Sequence, residues 1–190
     1  MARYSKRSKR GNMLILIIAF IFILVLMGLV ALNYVRLIGT ASEQRTATEA
    51  AAIAAARDLS TIVVNTAECG YVSLSDYAPS GAGTIAGDGF PTPVRGINTI
   101  IGTARLDLIV GDLLGQQALK DFAIKDMQDA IAAKDQLINV LWSSIAPGGS
   151  GTDKDGNTVT PYTSAENAYK DNQVRMTGSS SYVPGSLLLS

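Results

Sequence analysis

Hydrophobic positions are spread very unevenly along the chain. From Met13 to Leu32 every residue is apolar apart from Gly28, and no Asp, Glu, Lys or Arg falls between Gly11 and Val35. A run with no polar face is not the surface helix of a globular protein. At 1.5 Å per residue it spans roughly 30 Å, the thickness of a bilayer's hydrocarbon core. In lipid the backbone must satisfy its own hydrogen bonds, so the run reads as a transmembrane helix despite the β-branched Ile15, Ile17, Ile18, Ile21, Ile23 and Val25. A cleaved signal peptide is the rival reading, with Gly39-Thr40-Ala41 as the small-residue site. The apolar run is longer than a signal peptide's, and Arg36 stands between it and that site.

The helical pattern continues from Asn33 to Val64. Thr46 to Leu59 reads TATEAAAIAAARDL, with high helix propensity, and no proline occurs between Met13 and Val64. This predicts one helix of up to about 50 residues, half of it in lipid, or two helices hinged at Gly39. Ala47, Ala50, Ala51, Ala54 and Ala55 give a small-residue face that another helix can approach closely, while Glu43, Arg45, Glu49, Arg57 and Asp58 are expected on the wetter face. Thr66 to Gly102 is rich in glycine with three prolines, and reads as loop with a short strand at Tyr71–Leu74. Gly81-Ala82-Gly83-Thr84-Ile85-Ala86 has the letters of a dinucleotide fingerprint, but Pro79 precedes it and Gly-Asp-Gly-Phe-Pro follows, where a strand and a helix are needed.

Thr103 to Ile145 repeats in heptads. Val110, Gln117, Ile124, Ile131, Ile138 and Ile145 fall at one core position; Leu106, Leu113, Lys120, Met127, Lys134 and Leu141 fall at the other. The pattern predicts an amphipathic helix, or a hairpin broken near Gly111 to Gly115, packing its apolar stripe on the alanine-rich helix with Trp142 at its end. Pro147-Gly148-Gly149 ends it. Beyond lies a hairpin over Thr152–Pro161 turning at Asp155-Gly156, a short helix over Ala165–Gln173, and an apolar end at Leu187-Leu188-Leu189 suggesting a fragment of a longer chain.

The resulting fold class is mainly α: a long N-terminal transmembrane helix continuing into an extracytoplasmic helical hairpin or bundle, with loop-rich, minor β segments. The divisions are a basic cytoplasmic tail (1–12), the transmembrane helix (13–35), an Ala-rich juxtamembrane helix (36–65), a Gly/Pro-rich loop region (66–102), an amphipathic helical region (103–146) and a polar hairpin and loop region (147–190).

Charge sets the expected orientation. Lys plus Arg and Asp plus Glu both total 16, but Arg3, Lys6, Arg7, Lys9 and Arg10 lie in the first ten residues. The positive-inside rule makes these five the topology determinants, holding the N-terminus in the cytoplasm and the rest outside it. They also place cations against anionic membrane lipid. A net charge of zero argues against nucleic acid as a partner.

Chemistry is sparse. The absence of histidine removes the usual general base, zinc ligand and pH switch. Cys69 is the one cysteine and sits beside Glu68 with no cation to activate it. Asp153, Asp155 and Asn157 echo the start of a calcium loop, yet Thr158 and Ser164 occupy the positions where such a loop needs glycine and glutamate. Asp107, Asp112, Asp121, Asp126, Asp129 and Asp135 read as a solvated face. No enzyme activity, catalytic residue, metal or cofactor is expected.

The N-terminal third resembles the TadE/TadG-like family of tight-adherence (Flp) pilus assembly proteins. Lys9-Arg10-Gly11-Asn12, the apolar helix, Asn33-Tyr34-Val35-Arg36, Gln44 and the run Ala47-Thr48-Glu49-Ala50-Ala51-Ala52-Ile53-Ala54-Ala55-Ala56 carry the likeness, over roughly residues 6–60. Glu49 stands where the family usually has aspartate. Pilin-like members carry a glutamate five residues after the processing glycine, where this chain has Leu16, so the likeness is to the TadG-related branch. That branch often carries a von Willebrand A domain with a D-x-S-x-S metal motif, from which Asp58-Leu59-Ser60-Thr61-Ile62 departs at the last position. The resemblance implies a structural component of a Flp-type pilus or related secretion apparatus in the bacterial inner membrane. Its implied partners are other pilus-assembly or pilin-like membrane proteins, further copies of itself included. The alternatives are a membrane-tethered extracytoplasmic binding or sensory module, for which a tail of about 12 residues leaves little room for a signalling output, and the N-terminal anchor of a larger envelope protein.

Overall fold

The computed structural model describes residues 9–79, 81–177 and 182–189. It is mainly helical, with four helices and a few short strands among the described residues. The chain divides into two compact units, Met1–Arg45 and Thr46–Ser190. Helix α1 covers Lys9–Thr61 and runs through Gly39 without a break. Of the two sequence readings for this stretch, the single helix is the one found.

Two hydroxyls from downstream receive the end of α1. Tyr77 donates its phenolic proton to the Ser60 carbonyl (2.7 Å), and Ser73 donates to the Ile62 carbonyl (2.8 Å). These are carbonyls a helix end leaves without intrahelical partners. The chain then forms β1 (Val64–Thr66), β2 (Gly70–Ser73) and, after a long excursion, β3 (Arg95–Gly96). Strand β2 is central, antiparallel to β1 with Val64 opposite Val72, and parallel to β3 with Val72 opposite Arg95. The expected strand at Tyr71–Leu74 is therefore present one residue earlier, and it belongs to a sheet that the sequence reading did not anticipate.

Helix α2 spans Ile97–Leu113 and α3 spans Gln117–Ser144. The hairpin alternative for this region is the one observed. The break is a Schellman turn: Gly115 takes φ +65°, its N–H donates to the Asp112 carbonyl (3.1 Å) and the Gln116 N–H donates to the Gly111 carbonyl (3.0 Å). Gly111 and Lys120 meet across the turn, so a side chain at 111 would press on the Lys120 backbone.

Burial on the hairpin departs from the heptad reading. The buried positions of α3 are Ala123, Ala130, Ala133, Leu137 and Ser144, and those of α2 are Ile97, Ala104 and Gly111. Leu137 and Ala133 pack with Val72 and Ile97 in the main core, joined at its edge by Val64, Ile100, Ile101 and Leu141. The Ile124, Ile131 and Ile138 stripe lies about one residue round the helix from this ridge and is 41–46% exposed. Small side chains at Ala104, Gly111, Ala123 and Ala130 let the two backbones come close, and close approach decides which face turns inward. Trp142, expected to anchor the stripe, is 59% exposed.

Strands β4 (Gly151–Thr152) and β5 (Thr158–Val159) form the expected hairpin, with Gly156 at φ +85°. It docks on the exit of α1: the Val63 N–H donates to the Thr152 carbonyl (2.8 Å), and Gly151 lies against the Ile62 side chain. The loop containing Gly81 and Gly83 sits on the hairpin turn, where the Gly83 N–H donates to the Lys154 carbonyl (2.8 Å). A Cβ at either glycine would run into the backbone of Lys154 or Gly156. Those glycines serve a loop-on-hairpin contact, and among the described residues no strand and helix adjoin them as a nucleotide loop requires.

Helix α4 spans Pro161–Thr177, longer than the expected Ala165–Gln173, with proline at its first position where a missing N–H costs nothing. Ala165 packs on Ala51 and Ala55 of α1, with Tyr169, Leu187 and Leu189 around them. The alanine face therefore meets α4 and the C-terminal segment, in place of the amphipathic hairpin expected to cover it. Tyr162 donates to the Leu187 carbonyl (3.2 Å), tying that segment to α4.

Candidate functional site

The first candidate is the apolar part of α1. Its large side chains from Met13 to Leu32 are 46–72% exposed, on every side of the helix. Among the described residues it is one helix long and apolar enough to cross a membrane, and none of its most apolar stretch is buried by protein. Apolar surface left without protein cover costs about 25 cal/mol per Å² in water. A bilayer is the solvent that fits them. Of the expected topology determinants, Arg3, Lys6 and Arg7 lie outside the described residues, while Lys9 and Arg10 open α1.

The second candidate is the alanine face. Ala47, Ala51 and Ala55 follow each other at intervals of four and are 0–5% exposed; Ala50 and Ala54 are half-buried beside them. Glu43 falls on the same line one turn earlier and is buried, which corrects its placement on the wet face; Arg45, Glu49 and Arg57 are exposed as expected. Within Thr46–Ser190 the ridge is spent on Ala165. Ala51 and Ala55 thus contribute to the chain's own helix packing.

The third candidate was not singled out from sequence. A cavity of about 710 Å³ opens between the β1–β2 turn, the loop around Ile85–Thr92, and helices α2 and α3. Glu68, Asp107, Asp126 and Asp129 line it with Arg95 and Cys69. Asp129 is held by Lys125 at 2.8 Å. Burial, then the charges of Asp129, Glu68 and Asp126, push the Cys69 thiol above its usual range. A thiol so placed stays protonated at neutral pH and is a poor nucleophile, in line with the sequence reading of an inert cysteine. Sequence spacing could have flagged Asp126 and Asp129 on one helix face, but Glu68 and Asp107 join them only through the fold.

Asp153 has a structural task. Its Oδ1 accepts the N–H groups of Asp155 (2.9 Å) and Asn157 (2.8 Å), and its Oδ2 accepts the Asn157 amide (3.1 Å). These bonds hold the carboxyl below the usual carboxylate range, against the opposing effect of burial. The fragment that echoes a calcium loop is an Asx-type turn closing the β4–β5 hairpin.

Taken together these features define a class: a helix suited to a bilayer, joined to a small α-rich domain whose surface carries a wide acidic cavity. Within it, residues 11–58 match the model of the putative Flp pilus-assembly TadE/G-like family. The match covers the apolar helix and the alanine ridge, 48 of the 190 residues, and supports a role related to Flp pilus assembly in general terms. No curated protein and no solved structure matches the chain.

Proposed function

We propose that the chain is a membrane-anchored structural component that helps build or hold a Flp-type pilus or related secretion apparatus, acting by helix packing and without catalysis. The observation that carries this reading is the coincidence of the matched segment, 11–58, with the uncovered apolar helix. The five cations before the apolar run orient it with its N-terminus in the cytoplasm of a bacterial inner membrane and Thr46–Ser190 on the far side. Other pilus-assembly or pilin-like membrane proteins are the partners this role calls for.

Deletion of the gene, with complementation by the full chain, tests it. Loss of surface pili restored by the full chain supports the reading; normal pili in the deletion strain contradict it. A second reading, a membrane-tethered binding module, draws on the 710 Å³ cavity. Complementation by a Glu68→Gln, Asp126→Asn double variant separates the two, since a packing component tolerates it and a binding module does not.

A further inference from the structure

The isoleucine stripe of α3 is a large apolar surface that the fold leaves open. Ile124, Ile131 and Ile138 are 46%, 45% and 41% exposed at intervals of seven. The stripe runs into an apolar groove at the end of the helix, formed by Ile138, Leu141, Trp142 and Ile145 with Leu59 of α1. An apolar groove rimmed by charged residues is a form that interaction sites take.

Charge says what the stripe fits. Lys120 and Lys134 precede Ile124 and Ile138 by four residues; Asp121 and Asp135 precede them by three. At 3.6 residues per turn, the lysines fall about 40° to one side of the stripe and the aspartates about 60° to the other. One edge is therefore basic and the other acidic. Two such helices laid stripe to stripe and parallel, about a two-fold axis along their length, bring the basic edge of each against the acidic edge of the other. The antiparallel arrangement sets lysine against lysine. Within the chain Lys134 lies 3.2 Å from Asp135, and Lys120 pairs with Asp112; both pairs are at the surface, where such contacts contribute little and exchange readily.

We infer that a second copy of this chain docks on the Ile124–Ile131–Ile138 stripe of α3, in parallel and in register, with Lys120 and Lys134 of each copy facing Asp121 and Asp135 of the other. A two-fold contact of one patch with itself is closed. The inference deepens the assembly role and rests on it, naming the chain itself as one partner.

The test uses the full chain in detergent micelles, in a Cys69→Ser background, with Ile124→Cys, Ile131→Cys and Ile138→Cys introduced one at a time and oxidised. Parallel pairing in register gives a disulfide-linked dimer from each of the three, and none from Phe122→Cys, which is exposed on the same helix away from the stripe. A link from Ile131→Cys alone means antiparallel pairing and overturns the inference, as does the absence of links from all three. Ile131→Asp should convert the dimer to a monomer by mass with its helical circular dichroism unchanged; a dimer that survives this change is held elsewhere and overturns the inference too. Failure of either kind in a chain that still fractionates with membranes leaves the anchored reading standing, whereas a chain absent from the membrane fraction overturns that reading.

Discussion

Asp76 caps helix α2 across twenty residues of chain: its Oδ1 accepts the Gly96 N–H at 2.8 Å and its Oδ2 accepts the Thr99 hydroxyl at 2.7 Å. Gly96 sits at the cap position and has no side chain to do this itself. Asp76 therefore ties the end of the β2 segment to the start of the hairpin that carries the isoleucine stripe and part of the cavity wall.

The bond from Gly96, then that from Thr99, hold the Asp76 carboxyl below its usual value. A carboxylate shifted this way contributes stability that is fully present above its unfolded pKa of about 3.9 and is lost as the pH falls through the folded value. Asp76→Ala should lower the thermal midpoint at neutral pH, and the gap to the parent chain should narrow as the pH is taken below about 4. Trp142, the sole tryptophan, provides the fluorescence signal. A gap that is constant down to acid pH would show that the charge on Asp76 plays no part.

The inward face of α3 is set by Leu137, 1% exposed, while the larger Phe122 is 67% exposed. Leu137→Ala should cost about 2–5 kcal/mol in chemical unfolding. Phe122→Ala should stay within about 0.5 kcal/mol of the parent. The reverse order would mean that α3 turns its Phe122 face inward, opposite to the packing described.

Ala51 and Ala52 are neighbours in sequence with opposite surroundings: Ala51 is 1% exposed against Ala165, and Ala52 is exposed. Ala51→Leu should destabilise the domain by about 1–3 kcal/mol through overpacking. Ala52→Leu should change stability by less than about 0.5 kcal/mol, and neither should alter membrane insertion. Equal effects would refute the ridge.

Gly83 lies where any Cβ meets the Gly156 backbone, and Gly87 has open space around it. Gly83→Ala should destabilise the loop-on-hairpin contact, seen as faster protease cleavage in that loop and a lower thermal midpoint. Gly87→Ala should be neutral or stabilise by up to about 1 kcal/mol. If both behave alike, the close approach of the two backbones is wrong.

The parts of this fold that follow from local pattern were legible in the sequence. The uninterrupted apolar and alanine-rich run gives α1, and Gly111 to Gly115 marks the break between α2 and α3. Asp155-Gly156 marks the β4–β5 turn. What escaped is what depends on partners far along the chain. Strand β3 is two residues long and pairs in parallel with β2 from beyond a long loop, so no periodicity announces it. The Asp76 cap and the convergence of Glu68 with Asp126 and Asp129 are equally non-local. The misplaced stripe has a different cause. Large isoleucines dominate a hydrophobic pattern, whereas the interhelical contact was decided by Ala104, Gly111, Ala123 and Ala130, whose small size permits close approach without adding much to that pattern.

The proposal that this is an anchored chain with its domain exported depends on where its two ends lie relative to the membrane. In the Cys69→Ser background, Ser8→Cys and Ser150→Cys can each be treated with a membrane-impermeant maleimide on intact cells stripped of outer barriers, and again after lysis. The expected result is labelling of Ser150→Cys before lysis and of Ser8→Cys only afterwards. Labelling of Ser150→Cys only after lysis, or equal labelling of both positions before it, would contradict the account.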